Sequence, residues 1–437
     1  MTDPVTDPSP DPERPLVVEL FAGPGGWDVA ATDLGLHPVG LEWHPDACAT
    51  AIAACHERHM LDVGAQDPRT FVGSLRRGMI VDGLIASPPC QAFSMAGSGA
   101  GRAGAAQLLA AVERIRAGEP ARQVEADVDA ALHDDRAALV LEPLRWALDL
   151  QPRWMAWEQV PPVLPLWEAC ARVLREHGWH VATGVLSAEQ YDVPQTRRRA
   201  FLIASRDVDV TLPPPVRRPY SKGVPQTRGP RHLKPWISMA EALGWGMTAQ
   251  PSMTVTGGGA GTGGAEPFGN MARQGMLREV AAGRWVQRSN YSDSPPGGRG
   301  GATAAERGRT LREHDEPSVV LTSRPPQWML TSGTRERSAR RSAGEPAMTM
   351  AFGRDSASFT VAPADVAPLE LPEAKADGRA VRITVAEAAA LQGFPPDYPW
   401  VGTKGSQYQQ IGDAVPPPLA WHVLRAALGL SESGGLW

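Results

Sequence analysis

The stretch Leu16-Val-Val-Glu-Leu-Phe-Ala-Gly-Pro-Gly-Gly26 joins a short, mostly apolar run to a glycine-rich turn. The run 16–20 has the composition of a strand that is buried inside a sheet. The turn 21–26 then leads into a helix-like stretch that ends near Gly35. A strand, a glycine-rich turn and a helix in this order open a βαβ unit, in which glycines let a ligand approach the backbone closely. We predict a ligand site at this turn, although a tight turn that needs glycine only for packing has the same pattern.

The alternation of strands and helices continues along the chain. Apolar runs predict further strands at 37–42, 80–86, 154–157 and 200–204, and helical stretches lie at 45–58, 138–150 and 166–177. Strands that alternate with helices predict a doubly wound, mostly parallel α/β sheet of the Rossmann-like class. The Ala- and charge-rich stretch 101–136 fits either a helical insertion or a mobile loop.

Composition divides the chain into four segments. Residues 1–14 alternate Pro, Asp and Ser and predict a disordered tail, and residues 15–212 form the α/β domain. Residues 213–375 are rich in Gly, Pro, Arg, Ser and Thr and predict a second, smaller, mostly β domain. Residues 376–437 return to the α/β pattern.

Two local patterns support this division. Short, similar segments that begin at Pro251, Pro317 and Pro346 fit strands of the second domain. Thr384-Val-Ala-Glu387 is a capping box that predicts the start of a helix, and Gly393 predicts its end.

Overall composition narrows the class of protein. The 437 residues carry a net charge of −5, unlike a histone-like polycation, and contain no run of 18 apolar residues to span a bilayer. The N-terminal sequence lacks the basic start and apolar stretch of a secretory signal. Four cysteines (Cys48, Cys55, Cys90 and Cys170) are too few for a disulfide scaffold. We expect a soluble cytoplasmic protein, either an enzyme or a binding protein.

Charge is distributed unevenly between the segments. Residues 271–345 hold 13 Arg, no Lys and 8 acidic residues, a net charge of +5 in a chain whose total is −5. This asymmetry fits a module that faces a polyanion, and it fits equally a solvated surface of Arg and Glu.

Chemically versatile side chains lie at predicted strand ends. Cys90 follows a Pro88-Pro89 turn just after the strand 80–86, and Glu158 follows the strand 154–157. Open α/β sheets bind ligands at the carboxyl ends of their strands. Arg197 and Arg199 precede the strand 200–204, and alternation places both on one face, where guanidinium groups can hold an oxyanion or a base carbonyl. Taken singly, each residue also fits a plainer role, as a buried thiol or a surface charge.

Two carboxylates fit a nucleoside ligand. Glu42 ends the second strand, where a carboxylate can hold two ribose hydroxyls, and Asp62 is placed to accept from an adenine amino group. The glycine turn lacks the full G-x-G-x-x-G spacing, so a smaller nucleoside is favoured over a pyrophosphate cofactor.

Together these elements resemble the DNA cytosine C5-methyltransferases, in that family's order and over nearly the whole chain. The matching segments are Phe21–Gly26 (cofactor loop), Pro88-Pro89-Cys90-Gln91 (nucleophile motif), Glu158-Gln159-Val160, Gln195-x-Arg197-x-Arg199, Arg382–Pro395 and Gln410–Leu419. Gln159 and Asp413 stand where the family usually has Asn.

The resemblance implies a fold, a cofactor and a set of site residues. It implies a class I methyltransferase domain that uses S-adenosyl-L-methionine, with 213–375 as the target-recognition domain. The implied catalytic residues are Cys90, Glu158, Arg197 and Arg199. The implied cofactor-binding residues are Phe21, Ala22, Gly23, Gly25, Gly26, Glu42, Trp43, Asp62, Val63, Pro88, Asp413 and Val415.

The resemblance also implies a mechanism. Cys90 would add to C6 of a cytosine flipped out of the duplex, while Glu158 protonates or hydrogen-bonds N3. Arg197 and Arg199 would hold O2 and the nearby backbone, and the glycine-containing segment Ser94–Arg102 would close over the base. The base that removes the C5 proton is left unassigned between bound water and a side chain.

The implied partner is double-stranded DNA, in restriction-modification or DNA protection, with a cognate restriction endonuclease as a further partner. We expect a monomer in a bacterial or phage-infected cell. The cluster Cys55-His56-x-x-His59 contains metal-ligand types, but a helix end explains it, and we expect no metal.

Three other interpretations stay open. An amino-group methyltransferase acting on adenine N6 or cytosine N4 also has a Pro-Pro turn after a strand, with an aromatic residue in place of Cys90, and needs no thiol. The transfer-RNA branch of the same family shares the motifs, although the long 213–375 segment favours duplex DNA. A DNA-binding protein with a decayed active site would keep the motifs without the reaction.

Overall fold

A seven-stranded sheet forms the centre of the molecule. The computed structural model describes residues 15–75, 80–89, 99–132, 138–221, 224–243, 286–292, 309–313, 327–330, 361–362, 380–382 and 384–430. The strands of the central sheet are β1 (Leu16–Leu20), β2 (Pro38–Glu42), β3 (Glu57–Met60), β4 (Val81–Ala86), β5 (Trp154–Gln159), β6 (His180–Ser187) and β7 (Arg198–Ser205). Their spatial order is β3-β2-β1-β4-β5-β7-β6.

Six of the seven strands run in one direction. All pairs from β3 through β5 are parallel, whereas β7 is antiparallel to both of its neighbours, β5 and β6. The predicted doubly wound, mostly parallel α/β sheet is therefore confirmed. Its apolar central strands are fully buried, as expected for strands covered by helices on both faces.

Helices cover both faces of the sheet. They are α1 (Gly26–Asp33), α2 (Pro45–Ala53), α3 (Pro68–Leu75), α4 (Gly99–Arg116), α5 (Ala121–Leu132), α6 (Glu142–Leu150), α7 (Leu164–Glu176), α8 (Met239–Leu243), α9 (Val385–Gln392), α10 (Lys404–Asp413) and α11 (Pro417–Ala427). Alternate residues of β1 divide between the two cores: Val18 packs with helices α3 to α7, and Val17 packs with α1 and α11. The last helix of the chain thus packs beside the first.

One predicted boundary is wrong and two strands were not predicted, in each case for local reasons. The second helix ends at Ala53 rather than at Arg58, because Cys55 has a positive φ of 64° and the chain then forms β3. Neither β3 nor β6 was expected, and both are edge strands whose residues are largely half-buried or exposed.

The stretch 101–136 is mainly a helical hairpin, which decides between the two possibilities left open by its composition. Helices α4 and α5 bury Leu108, Val112, Val124 and Val128 in the same core as the sheet. Residues 99–102, at the end of the segment expected to be a mobile loop, form the first turn of α4 instead. Residues 94–98 of that segment lie outside the described part of the chain.

A second sheet is formed mostly by strands of the segment 213–375, the predicted second domain, and its last strand lies beyond residue 375. It contains β8 (Val286–Ser292), β9 (Arg309–Glu313), β10 (Gln327–Leu330), β11 (Val361–Ala362) and β12 (Ala380–Arg382). Its strands agree with a mostly β character for this segment, while the domain limits 213 and 375 stay predictions. The similar segments that begin at Pro251, Pro317 and Pro346 fall outside the described residues.

The C-terminal segment folds back onto the central sheet. The predicted capping box is confirmed: the Thr384 side chain accepts from the Glu387 backbone N–H, and the Glu387 carboxylate accepts from the Thr384 N–H. Gly393 ends helix α9 with a φ of 86°, as expected. Within the ranges given above, no helix combines the length and apolar character that crossing a bilayer requires.

Two glycines offer a test of the packing of the sheet. A Cβ on Gly83 of β4 would lie 2.1 Å from the Trp154 ring, whereas a Cβ on the exposed Gly73 of α3 would meet nothing within 4 Å. We predict that Gly83→Ala lowers the free energy of unfolding by about 1–3 kcal/mol, because the buried tryptophan must move. Gly73→Ala should raise it by about 0.5–1 kcal/mol, because alanine favours the helix. Urea denaturation checks both values, and equal effects would contradict this packing.

Candidate active site

The candidate site lies along one edge of the central sheet. Strands β1, β2, β4 and β5 are parallel, so their carboxyl ends meet at this edge. The glycine turn follows β1, and the Pro88-Pro89 turn follows β4. Strand β7 runs in the opposite direction and begins there, which brings Arg199 beside Glu158. Predicted positions that the structure describes, such as Gly23, Pro88 and Glu158, are therefore brought together at one edge.

The glycine turn has a strained backbone with two different surroundings. Phe21, Gly23 and Gly25 have positive φ angles of 55°, 57° and 114°. A Cβ on Gly25 would lie 2.4 Å from the Tyr398 hydroxyl, and one on Gly26 would lie 2.2 Å from the Val415 carbonyl oxygen. Among the residues that the structure describes, a Cβ on Gly23 would meet nothing within 4 Å. Gly25 and Gly26 are needed for packing against the C-terminal segment, whereas Gly23 leaves open space for a ligand.

The Glu42 carboxylate fixes the glycine turn. Its Oε2 accepts from the Gly23 backbone N–H at 2.9 Å. Its Oε1 accepts from the N–H groups of Trp43 and His44 at 2.9 and 2.8 Å. A carboxylate offers about four acceptor sites, so capacity remains for a ligand hydroxyl. Glu42 thus has a structural role that its position in the sequence did not reveal.

Trp43 and Asp62 extend from the ends of two adjacent strands. Trp43 is 72% exposed, and Asp62 is also exposed. Oδ1 of Asp62 accepts from the Gly64 N–H at 2.9 Å and so caps a 3₁₀ turn over Val63–Ala65. An open glycine backbone, an exposed aromatic ring and carboxylates that can accept further hydrogen bonds fit a nucleoside. The side chains of Val63 and Ala22 are buried, which leaves their backbone atoms for contact with a ligand.

A buried charge cluster lies behind the glycine turn. Nη2 of Arg58 lies 2.6 Å from Oδ2 of Asp28, and both side chains are essentially inaccessible. Burial, together with the negative charge of Asp28, raises the pKa of Glu19 well above its usual range. Burial therefore disfavours the charged form of this carboxyl. None of these three residues was expected at the site, since each is separated from its partners in sequence.

Glu158 and Arg199 form a nearly buried ion pair. Nε of Arg199 lies 2.8 Å from Oε1 of Glu158, and the two side chains are 10% and 6% exposed. Burial raises the pKa of Glu158, while the guanidinium groups of Arg199 and Arg197 act in the opposite direction. This environment keeps a proton on Glu158 more readily than water does and places a cation directly beside it.

Arg197 lies deeper than Arg199 and has different partners. It is 1% exposed, and its Nη1 donates to the Gly412 carbonyl at 2.7 Å, with the Asp413 carbonyl 3.5 Å from Nη2. These carbonyls end helix α10, where the helix dipole favours a cation. Burial and the neighbouring Arg199 charge lower the pKa of Arg197 to about 9. Its contacts tie the C-terminal segment to the sheet.

Gln159 links the end of β5 to the Pro-Pro turn. Its Nε2 donates to the Pro88 carbonyl at 2.5 Å, and its Oε1 accepts from the Val160 N–H. The Ser87 hydroxyl accepts from the Trp27 indole at 2.9 Å. The glutamine that departs from the family pattern therefore holds the turn that precedes the predicted nucleophile. Cys90 itself lies outside the described residues.

The remaining predicted positions belong to the C-terminal segment. Val415 is buried, and its carbonyl lies against Gly26. Asp413 is exposed, yet the protein packed around it raises the pKa of its carboxyl, with Arg197 opposing. Water at its exposed surface offsets part of this effect.

A glutamine pair adds a contact that the sequence did not indicate. Nε2 of Gln195 donates to Oε1 of Gln392 at 2.7 Å, and Nε2 of Gln392 donates to the Ala414 carbonyl at 2.6 Å. Both side chains are fully buried. The only advance signal was that Gln195 and Gln392 each belong to a recognised motif. Among the residues that the structure describes, no three His, Cys, Asp or Glu side chains are grouped so that they could hold a metal ion.

A second buried cluster lies beneath the Asp62 turn. Arg145 forms an ion pair with Glu142 and donates through Nη2 to the Gln66 carbonyl at 3.1 Å. Glu125 of the inserted hairpin is only 3.5 Å from Nε of Arg145, a looser ion pair. Burial and the Glu142 charge raise the pKa of Glu125 to about 8, and burial also raises that of Glu142.

Comparison with known proteins gives a family match and full-length relatives. The model of the family described as C-5 cytosine-specific DNA methylase matches residues 16–121, 127–232 and 310–428. The chain is 24% identical to the Type II methyltransferase M1.HphI of Haemophilus parahaemolyticus, over 95% of this chain and 87% of that protein. It is 25% identical to the Type II methyltransferase M.SacI of Streptomyces achromogenes, over 96% and 95% of the two chains.

A solved structure has the same fold. It is a crystal structure described as a DNA modification methyltransferase encoded within a prophage (E. coli), with a TM-score of 0.51 and 17% sequence identity. The match covers 95% of this chain and 99% of that one. At this level of identity the likeness concerns the architecture alone.

The pKa of Glu125 gives a pH-dependent prediction. A folded-state pKa of about 8, above the unfolded value, makes Glu125 cost stability as the pH rises from about 4.5 to 8. Glu125→Gln removes this loss, so the melting temperature of the variant minus that of the wild type should increase between pH 5 and pH 9. Calorimetry at both values checks this. Glu168→Gln, at an exposed position of α7, controls for loss of a negative charge, and an equal difference at both pH values for Glu125→Gln would contradict the burial argument.

Proposed function

Because this chain belongs to the C-5 cytosine-specific DNA methylase family, and is thus a DNA cytosine-5 methyltransferase, we propose that it methylates a flipped-out cytosine of a specific duplex site through a covalent Cys90 adduct. The methyl donor in this proposal is S-adenosyl-L-methionine. Amino-group methylation is disfavoured, because the matching family is specific for C-5. The single observation that carries the proposal is the Glu158–Arg199 pair at the sheet edge, next to the Pro88 turn.

The glycine turn supports the cofactor assignment. Gly23 faces open space, Glu42 retains free acceptor capacity, and Trp43 and Asp62 are exposed at adjacent strand ends. Glu42 would hold ribose hydroxyls, and Asp62 would accept from the adenine amino group. S-adenosyl-L-methionine supplies an electrophilic methyl group when bound. The residues of this chain hold and orient it through the carboxylates and the backbone of the turn.

Cys90 makes carbon 5 of cytosine reactive in this proposal. Its thiolate sulfur forms a bond to C6, which breaks the aromaticity of the ring and gives C5 enamine character. After C5 has gained the methyl group, with cleavage of the bond between that group and the donor sulfur, loss of the protons on C5 and N3 and cleavage of the S–C6 bond restore the ring and the thiolate. Gln159 supports this chemistry because it holds the Pro88 carbonyl, two residues before Cys90 in the sequence.

Glu158 keeps negative charge from accumulating on the ring. Burial raises the pKa of its carboxyl, which favours its protonated form, the form that can donate to N3 when the thiolate adds to C6. Nε of Arg199 lies 2.8 Å from the same carboxyl. Because a guanidinium group only donates hydrogen bonds, Arg199 suits contact with the O2 carbonyl, which accepts them. Arg197 is assigned a positioning role, since its guanidinium group already donates to the end of α10.

The segment 213–236, called here the basic strap, supports binding to the DNA backbone. It contains four Arg, two Lys and no acidic residue. The backbone N–H groups of Val216 and Arg217 donate to the Gln190 carbonyl, near the start of β7, which places the strap toward the site edge. Arg228 and Arg231 are exposed, so their charges are available to phosphates.

The relatives suggest a biological role for this activity. M1.HphI and M.SacI are Type II methyltransferases. We propose that the present enzyme likewise protects DNA at one recognition site within a restriction-modification system, with a cognate endonuclease as partner. Since the site must open the duplex, the few kcal/mol needed to unstack the cytosine are supplied by contacts to the DNA.

Cysteine and glutamate variants test the reaction. Cys90→Ser should abolish both methylation and the covalent adduct with a 5-fluorocytosine duplex, because serine is a far weaker nucleophile. Glu158→Gln should lower the methylation rate by about 10²–10⁴-fold with duplex binding retained, because N3 loses its proton donor. Bisulfite sequencing of host DNA gives the modified site, and gel analysis of denatured complexes gives the adduct.

Cys55→Ser serves as the matched control, because Cys55 is exposed and far from the Pro-Pro turn in sequence. It should retain activity and adduct formation. Methylation by Cys90→Ser would contradict the covalent mechanism. Modification of transfer RNA but not duplex DNA by the wild type would assign the chain to the RNA branch, and the absence of an adduct and of any methylated product would indicate a decayed active site.

Salt dependence tests the basic strap. The double variant Arg228→Ala/Arg231→Ala should weaken duplex binding and reduce the slope of log K against log salt by about 2, since each lost phosphate contact removes about 0.9. Fluorescence anisotropy with a non-specific duplex at several salt concentrations measures the slope. Arg153→Ala/Arg206→Ala is the control. Arg153 precedes β5 and Arg206 follows β7, so both arginines lie at the end of these two strands that is opposite to the site. An unchanged slope in the strap variant would rule out phosphate contacts there.

A further inference from the structure

We propose that the hairpin formed by α4 and α5 positions the loop 61–66, called here the Asp62 loop, and that Arg122 is the residue through which it does so. The inference rests on the proposed cofactor and names a determinant of its binding. Arg122 lies in the first turn of α5. Its Nη1 donates to the Gly64 carbonyl, and its Nη2 donates to the Gln66 carbonyl at 2.9 Å. One guanidinium group therefore bridges two carbonyls of the loop that carries Asp62.

The two carbonyls belong to a turn that is too short to stabilise itself. The 3₁₀ turn spans only Val63–Ala65, and the carbonyls at the end of a helical turn lack helical donors. Arg145 donates to the Gln66 carbonyl from the buried side, so two arginines hold this loop from two directions. Only Arg122 belongs to the hairpin.

The Asp62 carboxylate is coupled to the same turn. Its Oδ1 accepts from the Gly64 N–H, while Arg122 binds the Gly64 carbonyl. A shift of the turn therefore moves the Asp62 side chain together with its backbone. A ligand that uses this carboxylate binds best when the turn is already in place, because less ordering then accompanies binding.

The hairpin is a firm support for Arg122. Six of its apolar residues are buried in the main core, and Arg116 forms an ion pair with Glu176 of α7. Arg114 joins the two helices of the hairpin through Glu119 and Asp127. Arg114 therefore holds the hairpin together, whereas Arg122 contacts the Asp62 loop.

Hydrogen exchange tests the contact without any ligand. In Arg122→Ala, the amides of residues 61–66 should exchange faster than in the wild type, because the loop loses two hydrogen bonds. Arg175→Ala removes an exposed arginine of α7 that donates to the Val181 carbonyl, outside the hairpin, and should leave exchange in this loop unchanged. Arg122→Lys should restore the slower exchange in part, since an ammonium group can also donate to carbonyls. Equal exchange in Arg122→Ala and the wild type would overturn the proposal.

Ligand binding and kinetics test its consequence. Calorimetric titration with S-adenosylhomocysteine should give a dissociation constant about tenfold higher for Arg122→Ala, as expected for the loss of ordinary hydrogen bonds. KM for S-adenosyl-L-methionine should rise similarly with kcat nearly unchanged, and Arg175→Ala should match the wild type. Binding equal to the wild type would refute the positioning role. If the wild type itself binds no S-adenosylhomocysteine, the cofactor assignment fails and the binding part of this inference with it, whereas the exchange result still reports on the loop.

Discussion

The close approach of the C-terminal segment to the glycine turn is the constraint on which the site depends. The Val415 carbonyl occupies the space that a side chain at Gly26 would need, and the Tyr398 hydroxyl does the same at Gly25 and donates to the Pro24 carbonyl at 2.5 Å. Overpacking of this kind forces neighbouring atoms to move, so only glycine fits both positions. Residues 374 positions apart are thereby joined. The open space at Gly23, left beside this contact, is what makes the turn suitable for a ligand.

Three buried arginines at this edge each have a compensating partner. Arg58 is paired with a carboxylate, Arg199 with the Glu158 carboxyl, and Arg197 with the carbonyl end of a helix. Each arrangement offsets the cost of removing a cation from water by supplying negative charge or a dipole at short range. The arrangements differ in what they leave available. Arg199 lies beside a group whose pKa is raised by burial and suits chemistry, whereas Arg197 is committed to holding α10.

The sequence predicted those parts of the molecule whose signals are local. Central strands such as Leu16–Leu20 are apolar because helices cover them on both sides, and the Thr384 capping box is read from four residues. The edge strands Glu57–Met60 and His180–Ser187 were missed, because strands at a sheet edge need no continuous apolar run. For the same reason the boundary of the preceding helix was placed too far along the chain.

The site shows the same limit at the level of side chains. Strand ends place Glu42 and Glu158 at one edge, and this follows from topology alone. Alternation correctly set Arg197 and Arg199 apart from Arg198, but it gives a face and not a depth, so it could not separate a residue beside Glu158 from one at the end of α10. The partners that decide this depth lie more than 200 residues away in sequence. The same argument applies to the stretch 101–136, whose composition alone could not show that it is mainly helical. Its Arg122 donates to the Gln66 carbonyl, 56 residues earlier in the sequence, and only the tertiary structure reveals this contact. A hairpin that lies outside the sequence motifs can therefore act on a motif-built site through a single long side chain.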